Sequence, residues 1–229
     1  MKKLVLFDID GTILSSFGAG TRSIMSALSA VFERDVEAGD GYSMSGKTDA
    51  QIVVELMERS GVSREETLER LRDVWDRYAE GMRKEIGARA PDVFPGVRQL
   101  VNRLSEATEA LLGLLTGNIE EVAWIKLGRV ELDGPFWAGA FGDQALNRSE
   151  LPGVAIQNAA SVSGHTFEGK DVVIVGDTPN DVLCGRHLNV KTVAVATGEF
   201  SREELAEYEP DYLFDDLIDT VRVGGAILE

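Results

Sequence analysis

Apolar residues in this chain gather in short continuous runs that stop abruptly at acidic or hydroxylic residues. Lys3–Phe7 runs into Asp8, Ala110–Leu115 into Thr116-Gly117-Asn118, and Asp171–Val175 into Gly176-Asp177, while Lys191–Val195 leads to Thr197-Gly198. A run this short that is apolar at nearly every position is the pattern of a strand buried on both faces. Between the runs, apolar residues recur at helical spacing over Val97–Leu104, Glu150–Val162 and Val182–Leu188. Strands alternating with helices predict an α/β fold, a doubly wound parallel sheet of Rossmann-like type. Ligands of such sheets bind beyond the carboxyl ends of the strands, which is where these polar residues fall.

From residue 15 to residue 90 the alternation stops. Helical patterns cover Thr21–Phe32, Asp49–Ser60 and Arg64–Glu85, and opposite charges at i and i+4 along the last fit long exposed helices. The stretch Ala90–Gly96 contains Pro91 and Pro95 and returns the chain to alternation, with Pro95 suited to a first helical turn. The expected organisation is a core of residues 1–14 and 91–229 carrying an all-α insert of residues 15–90.

Composition restricts the class further. The 229 residues are 44% hydrophobic and 27% charged, which is ordinary for a globular chain that needs neither disulfide nor metal to fold. The single cysteine, Cys184, precludes an internal disulfide and fits a reducing compartment. Asp8 and Asp10 interrupt the N-terminal apolar run too early for an export signal, and no stretch approaches the ~20 apolar residues of a membrane helix. A soluble cytoplasmic protein with no membrane partner is therefore expected. A formal net charge of −16 repels nucleic-acid phosphates and removes nucleic acid as a partner. The same field repels small anions, so a site for one must carry its own cations.

Two acidic clusters stand at strand ends. In Asp8-Ile9-Asp10-Gly11-Thr12 the two carboxylates, two residues apart on extended backbone, share a face. Like charges about 4 Å apart cost roughly 4 kcal/mol at an effective dielectric near 20, so such a pair needs a proton or a cation. Gly11 permits a sharp turn and close approach of backbone amides to a ligand. In Gly176-Asp177-Thr178-Pro179-Asn180-Asp181, Thr178 and Pro179 read as an N-cap and first helical turn, which brings Asp177 near Asp181. Each cluster alone has a bland reading, as an Asp-Gly turn or as acids favoured at a helix N-terminus. Two of them at the ends of two strands of one sheet suit a hard divalent ion such as magnesium. Thr116-Gly117-Asn118, with a hydroxyl and backbone amides at a strand–helix junction, suits an anion, although a simple N-cap would explain it too.

Together these residues resemble the haloacid dehalogenase superfamily of aspartate-nucleophile phosphohydrolases. Asp8–Thr12 corresponds to its first motif, Thr116–Asn118 to its second and Gly176–Asp181 to its fourth. The insert after Thr12 is similar to the helical cap of the phosphoglycolate-phosphatase-like branch, with Phe94-Pro95-Gly96-Val97 as its return hinge. The third motif departs from the commoner lysine. Its counterpart is Asn147–Gly153, with Arg148 the candidate cation and Lys126 and Lys170 as competitors. Arginine is always charged and grips phosphate in a fork, so it is not geometrically equivalent to lysine.

The resemblance implies a magnesium-dependent phosphatase acting on a small phosphorylated metabolite, phosphoglycolate-like or a sugar phosphate. Asp8 would be the nucleophile and Asp10 the acid–base. Thr116 and Arg148 would complete the catalytic set. Asp8, Asp10 (through its carbonyl), Asp177 and Asp181 would hold or support the metal. Gly11, Thr12, Thr116, Gly117, Asn118 and Arg148 would bind phosphate. A cap loop with Gly46, Lys47 and Thr48 would touch the substrate, although capping of the following helix explains Thr48 or Asp49 equally well. A dehalogenase would need neither Asp10 nor a metal. The same fold would also serve a sugar-phosphate mutase or a catalytically silent interaction protein. His165 and His187 show neither metal-ligand nor triad spacing and are expected to be structural or solvated, and Cys184 to be a packed thiol.

Overall fold

The computed structural model describes residues 2–229. In chain order its elements are β1 (Lys3–Phe7), β2 (Leu14–Ser15), α1 (Ala19–Phe32), α2 (Asp49–Arg59), α3 (Arg64–Glu69), α4 (Leu71–Ala88), β3 (Asp92–Val93), α5 (Val97–Glu106), β4 (Ala110–Leu115), α6 (Glu120–Arg129), β5 (Ala138–Ala140), α7 (Leu151–Ser163), β6 (Val172–Gly176), α8 (Pro179–Cys184), β7 (Lys191–Val195), α9 (Arg202–Ala206), β8 (Tyr212–Phe214) and α10 (Thr220–Leu228). Among the described residues the main sheet has six strands in the order β5-β4-β1-β6-β7-β8, all paired in parallel.

The apolar runs make the sheet because both its faces are covered. Val5 and Phe7 face one cluster with Leu100 and Leu104 of α5 and Val223 and Ile227 of α10, while Leu4 and Leu6 face another with Leu151 and Ala155 of α7. All five residues of β1 are buried. The edge strands β5 and β8 were not legible as runs. Each is three residues long, and Ala138-Gly139-Ala140 has no β-branched side chain to mark it.

Helices α1 to α4 lie between β2 and β3, which pair with each other antiparallel, so the chain leaves the core and returns at one place. These helices share an apolar cluster that includes Ile24, Leu28, Leu56, Met57, Tyr78 and Met82. The same cluster takes in Ile119 and Val122 at the start of α6, which seats the helices on the core. The single long helix expected over Arg64–Glu85 is broken at Arg70, whose backbone leaves helical geometry. The reason is packing: α3 lies against α2 whereas α4 lies against α1, and one straight axis does not serve both.

Candidate active site

The register of the sheet dictates what meets at its carboxyl end. Phe7 is paired with Leu114 on one side and Val175 on the other, so the residues after β1, β4 and β6 emerge side by side. Asp8, Thr116 and Asp177 are those residues. The Asp8 N–H donates to the Val175 carbonyl at 2.9 Å. Gly11 then turns the chain with a left-handed φ of 84°, and a side chain there would run into the Asp177 carboxylate, so glycine is required on both counts.

Asp8, Asp177 and Asp181 form one buried group, with a carboxylate oxygen from each within 4.8 Å of the others. Arg148, buried as well, donates through Nη2 to Asp181 Oδ1 at 2.5 Å and to the Leu115 carbonyl at 3.3 Å, and stands 3.4 Å from Asp8 Oδ2. Its Nε has no partner among the described residues. Burial, then Asp181 and Asp8, keep the Asp177 carboxyl well above the usual range against the hydrogen bond from Thr12 and the charge of Arg148. Burial likewise pushes Asp8 up to about 7; Arg148 opposes this, and Asp181 and Asp10 add to it. Burial disfavours the Arg148 charge, but Asp181 and Asp8 more than compensate and hold the guanidinium protonated. Three buried acids beside one cation leave surplus negative charge that a proton or a second cation must offset. The donors are hard oxygens, so the residues fit a magnesium-class ion.

Asp10 belongs to a different environment. Its Oδ2 accepts from Lys126 Nζ at 2.6 Å and from Asn118 Nδ2 at 2.8 Å, and its Oδ1 accepts from Ser16 Oγ at 3.1 Å. Burial alone would raise its pKa, but the charge of Lys126 and these hydrogen bonds outweigh it and hold the carboxyl below its ordinary value. The Asp10 side chain is 42% exposed and opens into a cavity of about 890 Å³. Asp8, Thr116, Arg148 and Asp177 also line that cavity, which extends between the core and the helices to Ile24, Lys47, Ile52 and Tyr78.

The two parts meet by specific hydrogen bonds. Asp49 N–H donates to the Gly117 carbonyl at 2.7 Å, Thr48 Oγ1 to the Leu146 carbonyl at 3.1 Å, and Asn180 Nδ2 to the Gly46 carbonyl at 2.9 Å. Gly117 packs so closely on the Lys47 backbone that a Cβ would collide with it.

Several residues singled out from the sequence sit otherwise than expected. Thr12 is fully buried, does not line the cavity and donates its hydroxyl to Asp177 Oδ1 at 2.8 Å, so it braces an acid instead of facing a phosphate. The Gly11 amide is taken by the Leu14 carbonyl, whereas the Gly117 amide has no backbone acceptor among the described residues. Asp181 accepts from the Thr178 N–H and hydroxyl in a capping box while it pairs with Arg148. The Asp10 carboxylate stands outside the acidic trio, and its expected part in a metal site is through the carbonyl alone.

Of the three candidate cations, Arg148 lies against the acids, Lys126 lies on Asp10, and Lys170 precedes β6 at the opposite end of the sheet, where it binds Asp211 at 2.6 Å. In the loop before α2, Thr48 caps the helix through the Gln51 N–H, and Lys47 lines the cavity but is paired with Glu55 at 2.6 Å. His165 and His187 are exposed and outside the cavity. No motif marked the Lys126–Asp10 pair, nor Asp49, which turns inward to accept from the Ile119 N–H at 2.9 Å.

Residues 5–195 match the family model of haloacid dehalogenase-like hydrolases. Phosphoglycolate phosphatase 1 of Pseudomonas aeruginosa is 25% identical over 96% of this chain and 78% of its own. Pyrophosphatase PpaX of Anoxybacillus flavithermus is 24% identical over 96% of both chains. Among solved structures, β-phosphoglucomutase of Clostridium difficile superposes with a TM-score of 0.74 at 15% identity, over 99% of this chain and 97% of that one. No helix among the described residues is long and apolar enough to cross a membrane.

Proposed function

The chain belongs to the haloacid dehalogenase-like hydrolases, and from that premise we propose that it is a magnesium-dependent phosphatase of a small organic phosphate monoester. The observation that carries this reading is the pairing of a buried acid trio at Asp8, Asp177 and Asp181 with a separately held, cavity-facing Asp10. A dehalogenase would need Asp8 but neither Asp10 nor a metal.

In the first step a carboxylate oxygen of Asp8 attacks phosphorus and the ester P–O bond breaks. The departing oxygen takes a proton from the protonated form of Asp10, a minor form in the resting site because Lys126 favours the carboxylate, leaving an aspartyl-phosphate on Asp8. In the second step Asp10, now ionised, takes a proton from water as that water attacks the same phosphorus. The Asp8–phosphorus bond breaks and inorganic phosphate leaves. A magnesium ion held by Asp8, Asp177 and the Asp10 carbonyl, with Asp181 in support, would neutralise charge on the phosphoryl oxygens. Arg148, the Thr116 hydroxyl and the Gly117 amide would take the remaining oxygens, and Asn118 holds Asp10. These cations also answer the long-range repulsion that the net charge imposes on an anionic substrate.

We read residues 15–90 as a cap that excludes water once the Gly46–Asp49 loop is seated on Gly117, Leu146 and Asn180. The alcohol part of the substrate, phosphoglycolate-like or a sugar, would lie toward Ile24, Ile52 and Tyr78. Release of inorganic phosphate across a panel of phosphorylated metabolites with magnesium tests the proposal. Steady release from some member supports it. Isomerisation of a sugar phosphate with little free phosphate would make the protein a mutase, and inertness toward the whole panel would leave a silent scaffold.

A further inference from the structure

Among the described residues Lys126 is the one lysine with almost no exposure, at 1%. It projects from α6 among Val122, Ala123 and Leu127, all core residues. Burying an ammonium is costly unless it is fully paired, and apolar residues of similar size often replace a buried ion pair at no loss of stability. A lysine here therefore calls for a reason beyond packing. Its Nζ donates to Asp10 Oδ2 at 2.6 Å and to Asn118 Oδ1 at 2.7 Å, and Asn118 Nδ2 closes the ring on the same Asp10 oxygen at 2.8 Å. Asn118 is itself tied to Thr116 Oγ1 at 2.8 Å. Asp10 Oδ1, by contrast, is held among the described residues only by Ser16, at 3.1 Å.

Resting on the phosphatase reading, the geometry points to Lys126 as the positioning residue of Asp10. It clamps Oδ2 through a closed ring with Asn118, so that Oδ1 stands free to exchange protons with the leaving oxygen and the attacking water. Its two close partners and its 1% exposure leave little of the ammonium open to a substrate, although it borders the cavity. A carboxylate released from this ring swings on its own side chain, and a displacement of about 1 Å costs on the order of 100-fold in rate.

The test is a double-mutant cycle on an aryl phosphate with magnesium. Lys126→Met should lower kcat roughly 100-fold and leave KM within about twofold, because Lys126 acts on the reacting step and not on binding. In an Asp10→Asn background the same substitution should change the residual kcat by less than about twofold, since the group it positions is already gone. Equal losses in both backgrounds would make Lys126 a merely structural residue, and a loss carried by KM would make it a substrate contact; either overturns the inference, as does full activity of Lys126→Met. Should that variant not fold, Asn118→Ala keeps the ammonium and opens the ring, and the same cycle applies. A wild-type protein inactive on every phosphate ester would sink the phosphatase reading. An active wild type with a strongly impaired but measurable Asp10→Asn variant and additive Lys126 effects would sink this inference alone.

Discussion

Asp8 and Asp10 are two residues apart, yet the fold pushes them in opposite directions. Asp8 joins two other buried carboxylates with one guanidinium among them, and burial carries its pKa up to about 7. Asp10 faces the cavity beside an ammonium and an amide, which outweigh its burial and draw its pKa down. The first group carries unbalanced charge and calls for a metal; the second is balanced by Lys126 and does not. On the proposed reading, identical side chains would take separate roles, a metal-binding nucleophile and a proton carrier, in two neighbourhoods that differ in the number of cations they supply.

The largest effect that tests this contrast comes from the first group. Asp8→Asn should remove phosphate release by at least about 10⁴-fold in a coupled phosphate assay, as expected when a covalent nucleophile is lost. Retention of activity would reassign the nucleophile.

Metal removal comes next. At pH 8, magnesium at about 100 times its dissociation constant should raise the melting temperature by on the order of 5–10 °C over protein in chelator. Asp177→Asn should lose that shift and Asp10→Asn keep it, because the Asp10 carboxylate lies outside the trio. Calorimetry in which both variants respond alike would erase the distinction between the two groups.

A smaller effect concerns Asp49, which lies beside Asp10 and Lys126 at the foot of the helices. Burial is the chief cause of its rise to about 7, against the Ile119 N–H and Lys126. An acid whose folded pKa exceeds its unfolded value binds more protons when folded, so its contribution is complete below about pH 4 and is lost as pH rises to about 7. Metal-free wild type should lose up to about 4 kcal/mol more than Asp49→Asn across that window. Urea denaturation curves that stay parallel in pH would exclude a buried titrating Asp49.

Least affected should be Thr48→Ala. Thr48 caps α2 and donates to Leu146, so its loss should cost about 1 kcal/mol of stability with little change in KM. A large rise in KM would instead return Thr48 to the substrate-contacting residues.

Much of this was legible in the sequence because strand-end chemistry is local. The runs leading to Asp8, Thr116, Asp177 and Thr197 marked four of the six strands and placed their polar residues at one end of the sheet. The short edges β5 and β8 carried too few residues to show, and the break at Arg70 arose from packing that no local pattern records. Thr12 and Asp181 were read by type, but burial and capping decide their contacts.

By itself, then, the order of apolar runs and acids determined an α/β core with a helical insert and an acidic strand-end site, since periodicity and strand-end position need only neighbours in sequence. Which cation serves which acid was decided by the tertiary structure. Lys126 meets Asp10 across 116 residues and Arg148 meets Asp181 across 33, and only the assembled sheet with α6 packed beneath the helices sets those distances. Charge balance depends on separation in space, and spacing along a chain does not encode it.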